Sequence, residues 1–390
     1  MGDLKTQRAR ADRGPWGPHV RMTTTAPCAP TGTTPRQGRV RRVHCGPLAV
    51  LAAAVCALLP SPALPLAMAE QSLLALSPVA RTHIESPPNE KPYNVRLHFL
   101  KSNERRHDLF FSALRGIGGG YLGVGADQNY TLCAIARAEV VWLVDIDGDV
   151  IDWHRIYAAL IPAAPTPAAL SALLSGKRDA DVQAALRVRW DEAEAVRLWP
   201  AYLRYRGYLL NHFAVERDFK WRGQPVTWLS DQALYDHVRR LMIERRVIAR
   251  VGDLHGERTL IAIGAAAQAA GIRLHTVYLS NVEQWFHYSQ QFQRNMAALP
   301  HDGATVVLRT LARGELAFPD LDRWHFSVQT LDDFLTRMAA PVFPLTSVHG
   351  LMPDMTRATS PGVRGLSWIG PVLPTQPVLP AWNALPPLRL

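Results

Sequence analysis

Four short segments of this 390-residue chain carry residues whose types and spacing suit a bound ligand. Gly123-Val-Gly125 closes one apolar run, and the absent side chains there let a ligand approach both the backbone and the N-terminus of a following helix. Asp145 closes the next apolar run, twenty residues beyond Gly125. At that spacing an acid accepts hydrogen bonds from ribose hydroxyls, and Asp147 is the alternative acceptor. Gly252-Asp253 and Ser280-Asn281 follow two later runs. An aspartate there can accept from an exocyclic amine, while Ser280 and Asn281 either position a substrate or cap the next helix. Gly123, Gly125, Asp127, Asp145, Asp253, Ser280 and Asn281 are therefore the candidate cofactor-binding residues.

Several chemistries do not fit. Gly118–Gly123 spells G-x-G-x-x-G, but it precedes its strand instead of joining strand to helix. No G-x-x-x-x-G-K-[ST] loop is present, and Asp127 at a helix N-terminus competes with a pyrophosphate for the same positive potential. Asp145-Ile-Asp147-Gly-Asp149 opens like a calcium loop, yet Val150 and Ile156 stand where that loop needs glycine and glutamate. No metal site is expected. G-x-S-x-G and H-E-x-x-H are absent, and the catalytic residues are unknown; His255 and His287 are the histidines nearest the strand ends that could act as bases. Cys133 lies on an apolar helix face and reads as core.

The elements that must hold these residues alternate. Asn103–Arg115 has helical spacing, Tyr121–Val124 reads as a buried strand, and Asp127 or Asn129 caps a helix running through Ala138. Glu139–Asp145 is a strand buried on both faces, and a helix starts at Asp149. Residues 161–246 then interrupt with a Pro/Ala linker and a mainly helical, aromatic-rich insertion. The alternation resumes with strands at Val247–Val251, Leu274–Leu279 and Thr305–Leu311, helices at Arg258–Ala270 and Val282–Ala298, a last strand at Trp324–Gln329 and a last helix at Leu331–Met338. That order demands a Rossmann-like, doubly wound, mainly parallel α/β sheet over residues 95–340, with the ligand crevice outside the carboxyl ends of the strands. Residues 70–94 read as an irregular lead-in, and 341–390, with ten prolines, as a disordered tail.

Gly123-x-Gly125, Asp145, Gly252-Asp253 and Ser280-Asn281 resemble the successive motifs of class I S-adenosylmethionine (SAM)-dependent methyltransferases. The fuller runs, Gly118-Gly-Gly-Tyr-Leu-Gly-Val-Gly-Ala-Asp-Gln-Asn-Tyr-Thr-Leu132 and Tyr278-Leu-Ser-Asn-Val-Glu-Gln-Trp-Phe286, resemble a bacterial family of uncharacterised, often exported proteins with methyltransferase-like cores. The resemblance spans roughly residues 95–335 and implies the fold, with SAM as the cofactor to consider. Two departures weaken the implied activity: no acid precedes the glycines on the first strand, and no Asn/Asp-Pro-Pro-aromatic motif follows the fourth.

Residues 1–69 carry nine Lys/Arg against two acids, so they hold +7 of the formal net charge of +10. The remainder is close to neutral, which gives no basic stripe for nucleic acid. Within that leader, Arg36–Arg42 is a basic region, Pro47–Leu59 an apolar one, and Ala67-Met-Ala69 a small-residue cleavage site. The apolar run is short for a bilayer span, so a periplasmic or secreted protein is expected, with membrane anchoring the alternative and no stable span once the leader is removed. Export separates two readings. An exported protein binds a small nucleoside-like ligand in its crevice but lacks the cytoplasmic methyl donor; an internal one is an active SAM-dependent methyltransferase on a small molecule, with 161–246 as its lid. Mass spectrometry of the mature protein is expected to find its N-terminus at Glu70; an intact leader in the mature chain would reverse the preference.

Overall fold

Each strand of the central sheet presents apolar side chains alternately to two covered faces, and this dictates a three-layer architecture. The structure is a computed structural model describing residues 73–357 and 363–370. The leader and the final residues 371–390, on which the export signal and part of the tail were placed, lie outside the described residues. The sheet contains β1 (Gly120–Val124), β2 (Val140–Asp145), β5 (Val247–Val251), β6 (Leu274–Ser280), β7 (Val306–Leu311), β8 (His325–Thr330) and β9 (Leu366–Ile369), in the order β5-β2-β1-β6-β7-β8-β9. The strands from β5 to β7 are parallel. Winding reverses between β1 and β6, which is the switch point of a Rossmann-like sheet.

On one face Tyr121, Val141, Leu143, Ala249, Tyr278 and Leu308 pack against α3 (Gln128–Ala136), α4 (Gly148–Ala163) and α8 (Gln232–Ile243). On the other, Leu122, Trp142, Val144, Ile248, Val277 and Val307 pack against α9 (Thr259–Ala269), α10 (Gln290–Ala297) and α11 (Leu331–Met338). Burial on both faces explains why the strands read as unbroken apolar runs. Between α4 and α8 come α5 (Pro167–Leu174), α6 (Asp179–Arg189), α7 (Glu192–Asp218) and a small hairpin, β3 (Lys220–Trp221) with β4 (Gln224–Pro225). Among the described residues no helix is long and apolar enough to cross a membrane.

Five local expectations are corrected. The lead-in is not wholly irregular: Ser77 Oγ accepts from the Ala80 amide and Pro78 occupies the first position of α1 (Pro78–Glu85). The helix expected over 103–115 reduces to a 3-10 turn at His107–Phe110 and the short α2 (Phe111–Leu114), and the one expected from Val282 is a 3-10 turn that breaks before α10. β8 runs antiparallel to β7, because the connection over 312–324 holds no crossover helix. The fold does not end near 340 either. Residues Met352–Arg357 form α12, and β9 joins the sheet edge parallel to β8. Proline density masked this, since Pro353 sits in the first turn of α12, where its missing amide proton costs nothing.

Arg309 on β7 is fully buried and donates to Glu283 Oε2 at 2.6 Å and Gln329 Oε1 at 2.6 Å, while its guanidinium lies over the Phe334 ring. Tyr288 donates to the other Glu283 oxygen. This tie joins β7, β8 and the turn after β6. Arg309→Met leaves the Glu283 carboxylate buried without its cation, and the expected loss is about 3–5 kcal/mol in urea unfolding; a loss below about 1 kcal/mol would show the pair to be dispensable.

Candidate functional site

The carboxyl ends of β5, β2, β1 and β6 form one row: Asp145 pairs with Val251, Val124 with Val144, and Gly123 with Tyr278. All seven candidate residues therefore fall along one edge of the sheet, as the strand-end argument expects. What the sequence did not reveal is that the chain lays its own segment across this edge. Residues 87–107 run from β5 past β2 to β6 and β7. The Glu90 amide donates to Val251 O at 2.8 Å, Tyr93 N to Ile146 O at 2.9 Å, and Tyr93 Oη to Asp253 Oδ2 at 2.6 Å.

Two glutamates fasten this strap. Glu90 accepts from the amides of Asp253, Arg258 and Thr259 at 2.8, 2.9 and 3.1 Å, so a carboxylate of the chain sits at the start of α9 where an anion is favoured. Gly256 has no side chain because a Cβ there would lie 2.2 Å from Glu90 Oε2. At the other end Glu104 is buried at the switch point. It accepts from Tyr278 Oη at 2.5 Å, Ser280 Oγ at 2.6 Å and Thr310 Oγ1 at 2.7 Å, with His107 Nε2 at 3.1 Å. Burial alone would raise its pKa, but His107 and the hydroxyls outweigh it and hold the carboxyl below its ordinary range.

The glycine turn is likewise filled from within. A Cβ on Gly123 would lie 1.9 Å from Asn129 Oδ1. The Asn129 amide donates to Val124 O and Ala126 O, and its oxygen accepts from Tyr121 Oη. Gly123 thus makes room for Asn129. Gly125, at φ +92°, takes a backbone conformation disfavoured for other residues, and its carbonyl accepts from His154 Nε2 at 2.8 Å. Burial lowers His154 to about 4, so it is neutral and its Nδ1 accepts from Tyr130 Oη.

Asp127 takes the N-cap position of α3, but its side chain makes no capping bond. The carboxylate points to His212 Nε2 on α7, 3.0 Å away, and accepts from Trp228 Nε1 at 3.2 Å. Asp127 therefore does not set a bare negative charge against a pyrophosphate, as its place at the helix start suggested, because His212 compensates it. Asp253 is engaged by Tyr93 and by the His255 amide. Ser280 is committed to Glu104; its φ of +51° and a bulge between β6 and β7 aim the hydroxyl there. His255 Nδ1 is bonded to the Ser289 hydroxyl beside Phe286 and Phe292, and His287 is exposed. Cys133 is a buried free thiol that burial pushes upward.

Two candidates keep unused polar atoms. Asp145 Oδ1 accepts from the Asp147 amide, and among the described residues no hydrogen bond is found to its second oxygen; burial and the Asp147 carboxylate raise its pKa to about 7 against the opposing pull of the Asp147 and Ile146 amides. Asn281 is half-buried; it occupies a cap position without making a side-chain cap bond. Next to Asp145, His98 of the strap, Asp147 and Asp149 bring one nitrogen and two carboxylates within 4.8 Å of one another, a donor set suited to a first-row divalent ion. Here His98 Nδ1 donates directly to Asp147 at 2.9 Å, and Asp147 caps α4, so the cluster is explained without an ion. Glu90, Tyr93, His98, Glu104 and His212 escaped the sequence reading because each acts on a segment far away in the chain.

These observations define a Rossmann-like α/β domain whose strand-end crevice is strapped by its own lead-in. The chain belongs to the family described as a domain of unknown function (DUF7790), which matches residues 99–370 and so reaches the end of β9. No curated protein matches the chain.

The Asp127–His212 pair generates a pH signature. Burial opposes both charges, but each group favours the other's charged form, so Asp127 titrates below 3.8 and His212 above 6.5. Asp127's contribution is present above 3.8 and lost as pH falls through its depressed value; His212's is complete below 6.5 and lost as pH rises through its raised value. Glu216, 4.0 Å from His212 Nδ1, adds to the second effect. The advantage of the wild type over His212→Leu should therefore reach about 3 kcal/mol between these limits and shrink on both sides. A pH-independent difference in urea unfolding would refute the pairing.

Proposed function

We propose that this is an exported ligand-binding domain that takes a small nucleoside-like molecule at the ends of β2, β1 and β6, without transferring a methyl group. The observation that carries the reading is the uncommitted oxygen of Asp145, set beside the glycine turn at the switch side of the sheet. In this role Asp145 accepts from ribose hydroxyls and the Asn281 amide, free of any capping duty, meets the polar edge of the base. Gly123 and Gly125 shape the turn, and Asp127, Asp253 and Ser280 act indirectly by fixing α3, the strap and Glu104. The same commitments support binding over catalysis. A transferase needs a base or positioning group free to meet its substrate, whereas these polar side chains are already spent on the chain itself. Cleavage after Ala69 places the domain outside the cytoplasm, away from SAM, and SAM remains the ligand that would favour a transferase.

Thermal-shift and calorimetric titration of the purified protein with adenosine, S-adenosylhomocysteine, SAM, NAD and ATP tests this. At least one nucleoside-containing ligand is expected to bind, more tightly as pH rises through about 7, where Asp145 ionises. Asp145→Ala should weaken that ligand about tenfold, the worth of one charge-assisted hydrogen bond. Absence of binding at millimolar ligand would overturn the proposal, and methyl transfer from SAM to any small acceptor would replace it with the enzymatic reading.

A further inference from the structure

A cavity of about 430 Å³ lies away from the strand-end row, along the outer edge of β5. It is bounded by α4, the junction of α6 with α7, the turn before β5 and the end of α1. Four guanidinium groups line it, from Arg155, Arg189, Arg245 and Arg250. The acids around them are largely used elsewhere. Glu194 accepts from Arg155 at 3.1 Å and also from Arg197, and Asp191 caps α7 through the Glu194 amide. Glu85 lines the cavity too; its charge partly offsets those of Arg189 and Arg250, but it forms no direct ion pair with them among the described residues.

The arginines are therefore unevenly compensated. Arg250 donates only to the carbonyls of Pro87, Glu85 and Ala249. Arg189 lies over the Trp190 ring, and its Nε is buried without any hydrogen-bond partner. Arg245 stands at a left-handed turn and, among the described residues, forms no ion pair with a carboxylate. Burial, and then the neighbouring charge of Arg245, lower Arg189 to about 10. An unpartnered buried donor and a like-charged neighbour both cost stability, and an anion between them offsets both.

We propose that this cavity binds the phosphate group of a small organic phosphate monoester, held by Arg189 and Arg245, with Arg250 against its inner wall. A planar guanidinium offers paired donors that match phosphate oxygens, and two of them suit a group carrying nearly two negative charges. Ala158, Val247 and Ile248 supply an apolar wall for the organic part. The volume is in the range of small-molecule sites. No covalent step is involved. The site is distinct from the nucleoside site, since Asp145 and Asn281 do not line this cavity; His154, which bonds the Gly125 carbonyl, borders both.

Calorimetry at low salt with the whole protein, using phenyl phosphate, inorganic phosphate and succinate as probes, tests the site. Phenyl phosphate should bind most tightly, inorganic phosphate less, and succinate least. Arg189→Gln and Arg245→Gln should each weaken phenyl phosphate about tenfold, while Arg294→Gln on α10, whose guanidinium is bonded to Gln291 away from the cavity, leaves it unchanged. Because Arg245 is exposed, Arg245→Gln is expected to fold; it should raise the melting temperature without phosphate and abolish the stabilisation that phosphate gives the wild type. Binding untouched by both substitutions, no binding at tens of millimolar, or succinate equal to phenyl phosphate would each overturn the proposal.

Discussion

The buried Glu104 carboxylate organises this domain. A carboxylate removed from water is tolerated only when its lone pairs are satisfied, and here four groups from the strap, β6 and β7 converge on it. That demand draws the chain before the first strand across the strand ends. It also accounts for the strained backbone at Ser280, whose hydroxyl must reach the same carboxylate. Glu90 does the corresponding work at β5, where three amides at the start of α9 would otherwise face the crevice. In an open α/β sheet such groups receive a ligand; in this one the lead-in meets many of them first.

The helical insertion is tied in by the same logic. Asp127 at the start of α3 is neutralised by His212 from the long α7 and accepts a hydrogen bond from Trp228 beyond the hairpin, while Tyr130, Tyr157 and Phe213 pack around the Trp228 ring. The aromatic-rich stretch between Trp199 and Trp228 is thus largely packing, with polar ties from Tyr202 to the Leu173 carbonyl, from Tyr205 to Asp149 and from His212 to Asp127 inside it. His154 then links the insertion side of the sheet to the Gly125 carbonyl. Through this chain of contacts the glycine turn is held by side chains from α3, α4 and α7.

Much of the fold was legible because it depends on local pattern. Apolar runs of strand length separated by helical spacing gave the parallel block, and its strand ends were placed nearly to the residue. The polarity of β8 and the pairing of β9 were not legible. An antiparallel return depends on the missing helix between them, and β9 is a short segment after prolines whose partner strand lies about forty residues earlier. Of the candidate site, the sequence located the row of strand ends but not the occupancy of its groups. Gly123 reads the same whether its empty face admits a ligand or, as here, the amide of Asn129.

The sequence by itself determined the class of sheet, the edge at which polar residues collect and the position of the glycine turn, since all three follow from periodicity and from the direction of parallel strands. Only the tertiary structure decided which of those polar residues remain available. Asp127, Asp253 and Ser280 are taken by partners 85, 160 and 176 residues away, whereas Asp145 retains a free oxygen. The physical reason is that hydrogen-bond satisfaction in a buried crevice is a property of what meets in space, and spacing along the chain carries no record of it.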